Sequence, residues 1–141
     1  MEGTRSAVVD KAAIKERFRG LMSPVVDILD SLGVTPIGVS LAGLALSLIG
    51  ALFTGAGSLA AGAVILAVAS ICDSLDGSLA RRTGTVSKFG AFLDSTLDRI
   101  SEFAYFAALV IYYRGAGSTT MILFSLAALA GSFLTSYTRA R

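Results

Sequence analysis

Residues 73–81 read DSLDGSLAR, and after an eight-residue gap residues 90–98 read GAFLDSTLD. Asp73, Asp76, Asp94 and Asp98, with Gly77, Ala80, Arg81 and Gly90, stand at helical spacing inside strongly apolar sequence. At 100° per residue, Asp73, Asp76, Gly77, Ala80 and Arg81 fall within about 140° of one helix face. Gly90, Asp94 and Asp98 step four residues each, which gives a slowly drifting stripe on a second helix. Carboxylates in or near a bilayer are costly unless paired, hydrated or bound to a cation, so the cluster needs a ligand.

The surrounding sequence is membrane-like. The chain has 141 residues and is 54% hydrophobic, with a mean hydropathy of +0.73, too apolar for an ordinary soluble domain of this length. The net charge is only +2 and gives no reason to expect nucleic acid. The sole cysteine, Cys72, excludes an intramolecular disulfide and reads as small apolar packing. The absence of histidine excludes histidine acid/base chemistry and histidine metal ligation.

Four apolar stretches, about 36–53, 59–80, 89–113 and 119–137, are each long enough to span a bilayer. The predicted fold class is all-α: a polytopic helical bundle with four transmembrane helices. Gly/Ser turns at 54–58 and 114–118 join the outer pairs, as between antiparallel helices. The loop at 82–88 joins the middle pair and makes those two helices expected neighbours, with their polar stripes face to face. Arg5, Lys11, Lys15, Arg17, Arg19, Arg81, Arg82, Lys88, Arg99, Arg139 and Arg141 fall on one side and Arg114 on the other. The positive-inside rule assigns the first side to the cytoplasm. Tyr112 and Tyr113 suit an interfacial belt at the opposite face.

Residues 1–34 form a predicted cytoplasmic segment, and 35–141 the membrane domain. The segment's start lacks the apolar core of a signal peptide. From Ile14 to Leu32 apolar residues recur at three- and four-residue steps against charged ones, which predicts an amphipathic helix on the membrane surface, bent at Pro24. Gly33 ends it, and Thr35-Pro36 caps and starts the next helix. Ser40, Gly43, Ser47 and Gly50 line one face of that helix, a small-residue stripe suited to close packing.

Carboxylates converging from two helices would repel one another without a cation. An oxygen-only donor set favours Mg²⁺, Mn²⁺ or Ca²⁺, and two ions with bridging carboxylates suit phosphoryl chemistry. Gly77, Ala80 and Gly90 leave a groove, and Arg81 offers a planar donor fork for phosphate. The residues by themselves describe a site for a diphosphate held against divalent cations. Two other readings remain at this level: an ion transporter using the carboxylates as a path, and a non-catalytic scaffold in which Arg81, Arg99 and Asp94 neutralise one another.

The spaced motif from Asp73 to Asp98 resembles, at every defined position, that of the CDP-alcohol phosphotransferase (CDP-alcohol phosphatidyltransferase) family, and the resemblance extends over nearly the whole chain. It implies an integral membrane transferase that moves a phosphatidyl-type group from a CDP-linked lipid to an alcohol and releases CMP. It implies Asp73, Asp76, Asp94 and Asp98 as ligands of two Mg²⁺ or Mn²⁺ ions, with Asp98 the general base. It implies Ile37, Ser40, Gly77, Ala80, Arg81, Ser87 and Gly90 as contacts to the CDP-lipid. Ile37 stands where many relatives place Asn or Asp. The stretch 92–99, FLDSTLDR, resembles the inositol-phosphate-using branch, with glycerol 3-phosphate the alternative acceptor. By the same resemblance Ser136, Arg139 and Arg141 contact the acceptor's phosphate. The family also implies a homodimer and six spans; with room for four here, a fragment lacking two helices is expected.

Overall fold

A computed structural model describes residues 22–139, all helix and short turns with no strand among them. Helix α1 covers 22–31 and includes Pro24, where a bend was expected, in its first described turn; the part of the expected surface helix before residue 22 lies outside the described residues. Helix α2 is Pro36–Gly55, α3 Leu59–Arg82, α4 Lys88–Gly115 and α5 Thr119–Arg139. Each expected span therefore ends within two residues of its expected limits.

The punctuation is as the residues require. Gly33 adopts φ 69° and lets the chain leave α1. The Thr35 side chain accepts a hydrogen bond from the Gly38 N–H, with Pro36 in the first turn of α2. Gly57, Gly84 and Gly117 take positive φ in the turns that join α2 to α3, α3 to α4 and α4 to α5.

Helices α2, α3 and α5 are long and apolar enough to cross a membrane, and the chain is an integral membrane helical bundle. Helix α4 has the length, at 28 residues and about 42 Å. Its first half carries Asp94, Asp98, Arg99 and Glu102 and keeps it out of the apolar class.

Packing departs from the expected pairing in one respect. Helix α2 is the hub and packs against both α3 and α4, while α4 carries α5. Helices α3 and α4, expected as direct neighbours, barely meet backbone to backbone. The reason lies in their facing residues: small ones line α2–α3, whereas carboxylates and long side chains stand between α3 and α4.

At the α2–α3 seam, an added Cβ on Gly43 would lie 3.3 Å from Cys72 Cβ, and one on Gly50 3.2 Å from the Gly62 carbonyl oxygen. The small-residue stripe of α2 thus serves packing within the chain. At one end of the bundle Val26, Val39, Leu75 and Leu79 form a buried cluster that seats α1 on the start of α2 and the end of α3, with Cys72 packed against it. Arg82 ties the same joint by ion pairs to Asp27 at 2.7 Å and Asp30 at 3.3 Å, so these aspartates face a partner rather than open solvent.

Candidate active site

Asp73 and Asp76 stand near the C-terminal end of α3, and Asp94 and Asp98 near the start of α4. Because the loop reverses direction, both pairs reach the same end of the bundle, beside α1. Carboxylate oxygens of Asp73, Asp76 and Asp94 lie within 4.8 Å of one another, the spacing of ligands around a cation. Asp98 is outside this trio but adjoins Asp73 across the gap between the helices. Asp76 is buried at 5% exposure, and its oxygen accepts a hydrogen bond from Ser40 Oγ on α2. Ser40 is also bonded back to the Pro36 carbonyl at 3.1 Å.

The separation of α3 from α4 opens a cavity of about 550 Å³ walled by α2, α3 and α4. Asp73, Asp94 and Asp98 line its polar end, with Arg99 and Glu102 beside them. Leu44, Ala63, Leu66 and Tyr105 line the apolar remainder. Along α3, Ala63 to Asp73 is about 15 Å at 1.5 Å per residue. One space therefore joins an ionic end to an apolar one, the shape an amphiphile requires.

Among the described residues no ion pair involves Asp73, Asp76, Asp94 or Asp98: Arg82 pairs with Asp27 and Asp30, and Arg99 with Glu102. Arg81 donates to Ser78 Oγ at 3.1 Å. The network of Arg81, Arg99 and Asp94 expected of an inert scaffold is not formed. A hard divalent cation fits the donor set, which is three converging carboxylates with the Cys72 sulfur engaged in packing.

The other sequence-selected residues divide. Arg81 folds over Gly77, where an added Cβ would touch the guanidinium at 3.5 Å, and Ala80 is half-buried on the same helix. Ser87 is the N-cap of α4 and accepts from the Gly90 N–H at 3.0 Å, so both have a structural task at the helix start. Ile37 is exposed in the first turn of α2. Ser136 is half-buried on α5 and does not line the cavity. The Arg139 side chain and Arg141 lie outside the described residues.

Ser132 was missed, and Glu102, one of the charges expected to face a shared polar cavity, was given no partner. Glu102 bonds Arg99, and Ser132 of α5 bonds both. The i, i+3 pair of Arg99 and Glu102 inside a span was a readable signal. Ser132 offered none, since an isolated serine on an apolar helix is common.

Comparison with known proteins gives a consistent picture. The family model described as CDP-alcohol phosphatidyltransferase matches residues 25–140. The archaetidylinositol phosphate synthase of Pyrococcus horikoshii is 38% identical over 113 residues, covering 80% of this chain and 57% of that protein. The crystal structure of Mycobacterium tuberculosis phosphatidylinositol phosphate synthase with CDP-DAG bound superposes with a TM-score of 0.79 at 35% identity, over 85% of this chain and 61% of that one. The structure of the same enzyme in complex with manganese and citrate gives 0.74 at 35% identity, over 84% and 57%. The chain spans less than two thirds of the length of each of these relatives.

Proposed function

The chain belongs to the CDP-alcohol phosphatidyltransferase family, and from that premise we propose that it transfers a phosphatidyl-type group from a CDP-linked lipid to the hydroxyl of a polar acceptor, releasing CMP. The acceptor is inositol phosphate. The names of the relatives and the CDP-DAG bound in one of them support both substrates. The observation that carries the reading is the convergence of Asp73, Asp76 and Asp94 at the polar end of a cavity that continues between apolar helices.

Asp73, Asp76 and Asp94 hold the cation, and Ser40 fixes the orientation of the Asp76 carboxylate. Bound there, Mg²⁺ or Mn²⁺, two ions in this reading, supplies positive charge against a diphosphate and against the charge that develops on departing CMP. A relative's structure with manganese supports the metal class. Gly77, Ala80 and Gly90 leave a lane for the nucleotide, and Arg81, held among the described residues only by Ser78, can turn to a phosphate. Ser87 and Ile37 border that lane. The lipid chains lie along Leu44, Leu66 and Tyr105.

Asp98 takes the proton of the acceptor hydroxyl. The acceptor oxygen then bonds to the β-phosphorus in line, and the bridging oxygen leaves with CMP. Ser136, Arg139 and Arg141 receive the acceptor's phosphate. The enzyme works as a homodimer with four spans in this chain, in the cytoplasmic membrane with N-terminus and site facing the cytoplasm. The clustering of α1, Arg81, Arg82 and Lys88 at the aspartate end supports that orientation.

Asp98→Asn tests the assignment in liposomes containing CDP-diacylglycerol. CMP release falls by about 10³-fold, within the usual range for a lost general base, while CDP-lipid affinity holds. Turnover at the wild-type rate would remove Asp98 from its role. Inositol phosphate, glycerol 3-phosphate and serine offered in turn identify the acceptor, and CMP release with only the latter two rejects inositol phosphate.

A further inference from the structure

Arg99 and Glu102 lie one turn apart on α4, and α5 reaches them with Ser132. Glu102 accepts from Arg99 Nη1 on one oxygen and from Ser132 Oγ on the other. Arg99 Nη1 also donates to Ser132 Oγ at 3.0 Å. The three side chains form a closed ring that occupies both carboxylate oxygens and the hydroxyl proton. The ring leaves Arg99 Nε buried without a partner, so among the described residues this ring alone holds the guanidinium.

What makes the ring functional is its address. Arg99 and Glu102 line the same cavity as Asp73, Asp94 and Asp98, and Arg99 is near enough to Asp98 for direct charge–charge interaction. A guanidinium stays charged at any working pH and is the best side-chain partner a carboxylate has. An unrestrained Arg99 would choose among these carboxylates and compete with a cation for them. Its ion pair instead runs to Glu102.

We propose that Glu102, braced by Ser132, is a positioning residue that reserves Arg99 and keeps it off the carboxylates that take the metal. This rests on the metal reading above. Three readings make it testable with the full chain in detergent: Mn²⁺ binding followed by the electron paramagnetic resonance of free Mn²⁺, without substrate. The wild type binds, Glu102→Gln binds about tenfold more weakly, and Arg99→Gln/Glu102→Gln returns to within about twofold of the wild type. A merely structural role for the pair predicts no such recovery.

Absence of binding by the wild type overturns the metal reading and this one with it. Wild-type binding with Glu102→Gln unchanged, or with the double variant as weak as the single, overturns the reservation of Arg99 and leaves the metal site standing. Should Glu102→Gln fail to fold, Ser132→Ala decides. It weakens Mn²⁺ about threefold and adding Arg99→Gln cancels that loss; an unchanged affinity in Ser132→Ala overturns the proposal.

Discussion

Two seams in this bundle are closed by short loops, 56–58 and 83–87, and have opposite characters. Along α2–α3 the helices touch through glycine and small residues, with backbone against backbone at Gly50 and Gly62. Along α3–α4 the helices stand apart, with carboxylates, Arg99 and Tyr105 facing the gap. The loop fixes that two helices run antiparallel but not how closely they pack. In a membrane, where helix association depends on close van der Waals fit, small residues draw helices together. Like charges need separation, water or a cation. The packed seam is thus the frame, and the open seam is the site that it holds apart.

The largest expected effect breaks the open seam alone. Asp94→Asn eliminates measurable CMP release, a fall of about 10³-fold or more, yet leaves the metal-free protein at least as heat-stable as the wild type, because it removes one of several repelling charges. Loss of both activity and melting temperature would mean that the carboxylates hold the fold as well as the ligand. Gly62→Ala breaks the packed seam. Its Cβ would fall 2.2 Å from Thr54 Oγ1 and 2.9 Å from the Gly50 carbonyl oxygen. Overpacking of this kind costs about 1–3 kcal/mol, read as a lower melting temperature in detergent with Mn²⁺ affinity changed less than in Asp94→Asn.

Smaller changes sharpen the contrast. Ser40→Ala removes the one hydrogen bond by which the packed helix α2 reaches the site. A hydrogen bond to a charged group is worth about 1.5–3 kcal/mol, and the expected outcome is a roughly tenfold weaker Mn²⁺ with the melting temperature nearly kept. Arg82→Gln affects neither seam. Its ion pairs are about half exposed, so the stability change stays under about 1 kcal/mol and shrinks further in salt.

Much of this was written locally. The helix limits follow from apolar runs and from Thr35, Gly33 and the Gly/Ser turns. The four aspartates announced a ligand because charge in apolar sequence demands a reason. Other features are not legible locally because they depend on what faces what. Ser87 and Gly90, expected nucleotide contacts, also cap α4 through the hydrogen bond between them, a task the motif does not show. Asp27 and Asp30 belong to the charged face expected of the surface helix, and their pairing with Arg82, some fifty residues on, has no local signal. Ser40, an expected nucleotide contact, also donates to Asp76, a bond the sequence does not show.

The amino-acid order alone determined the helices, their number and the family motif, since periodicity, capping and the cost of charge in lipid act over a few residues at a time. Only the tertiary structure decided that α2 rather than α4 packs on α3, that Asp73, Asp76 and Asp94 meet with Asp98 beside Asp73, and that Glu102 and Ser132 hold Arg99. Those outcomes turn on distances between side chains far apart in the chain, set by how small or how charged the facing surfaces are, and no local pattern encodes them.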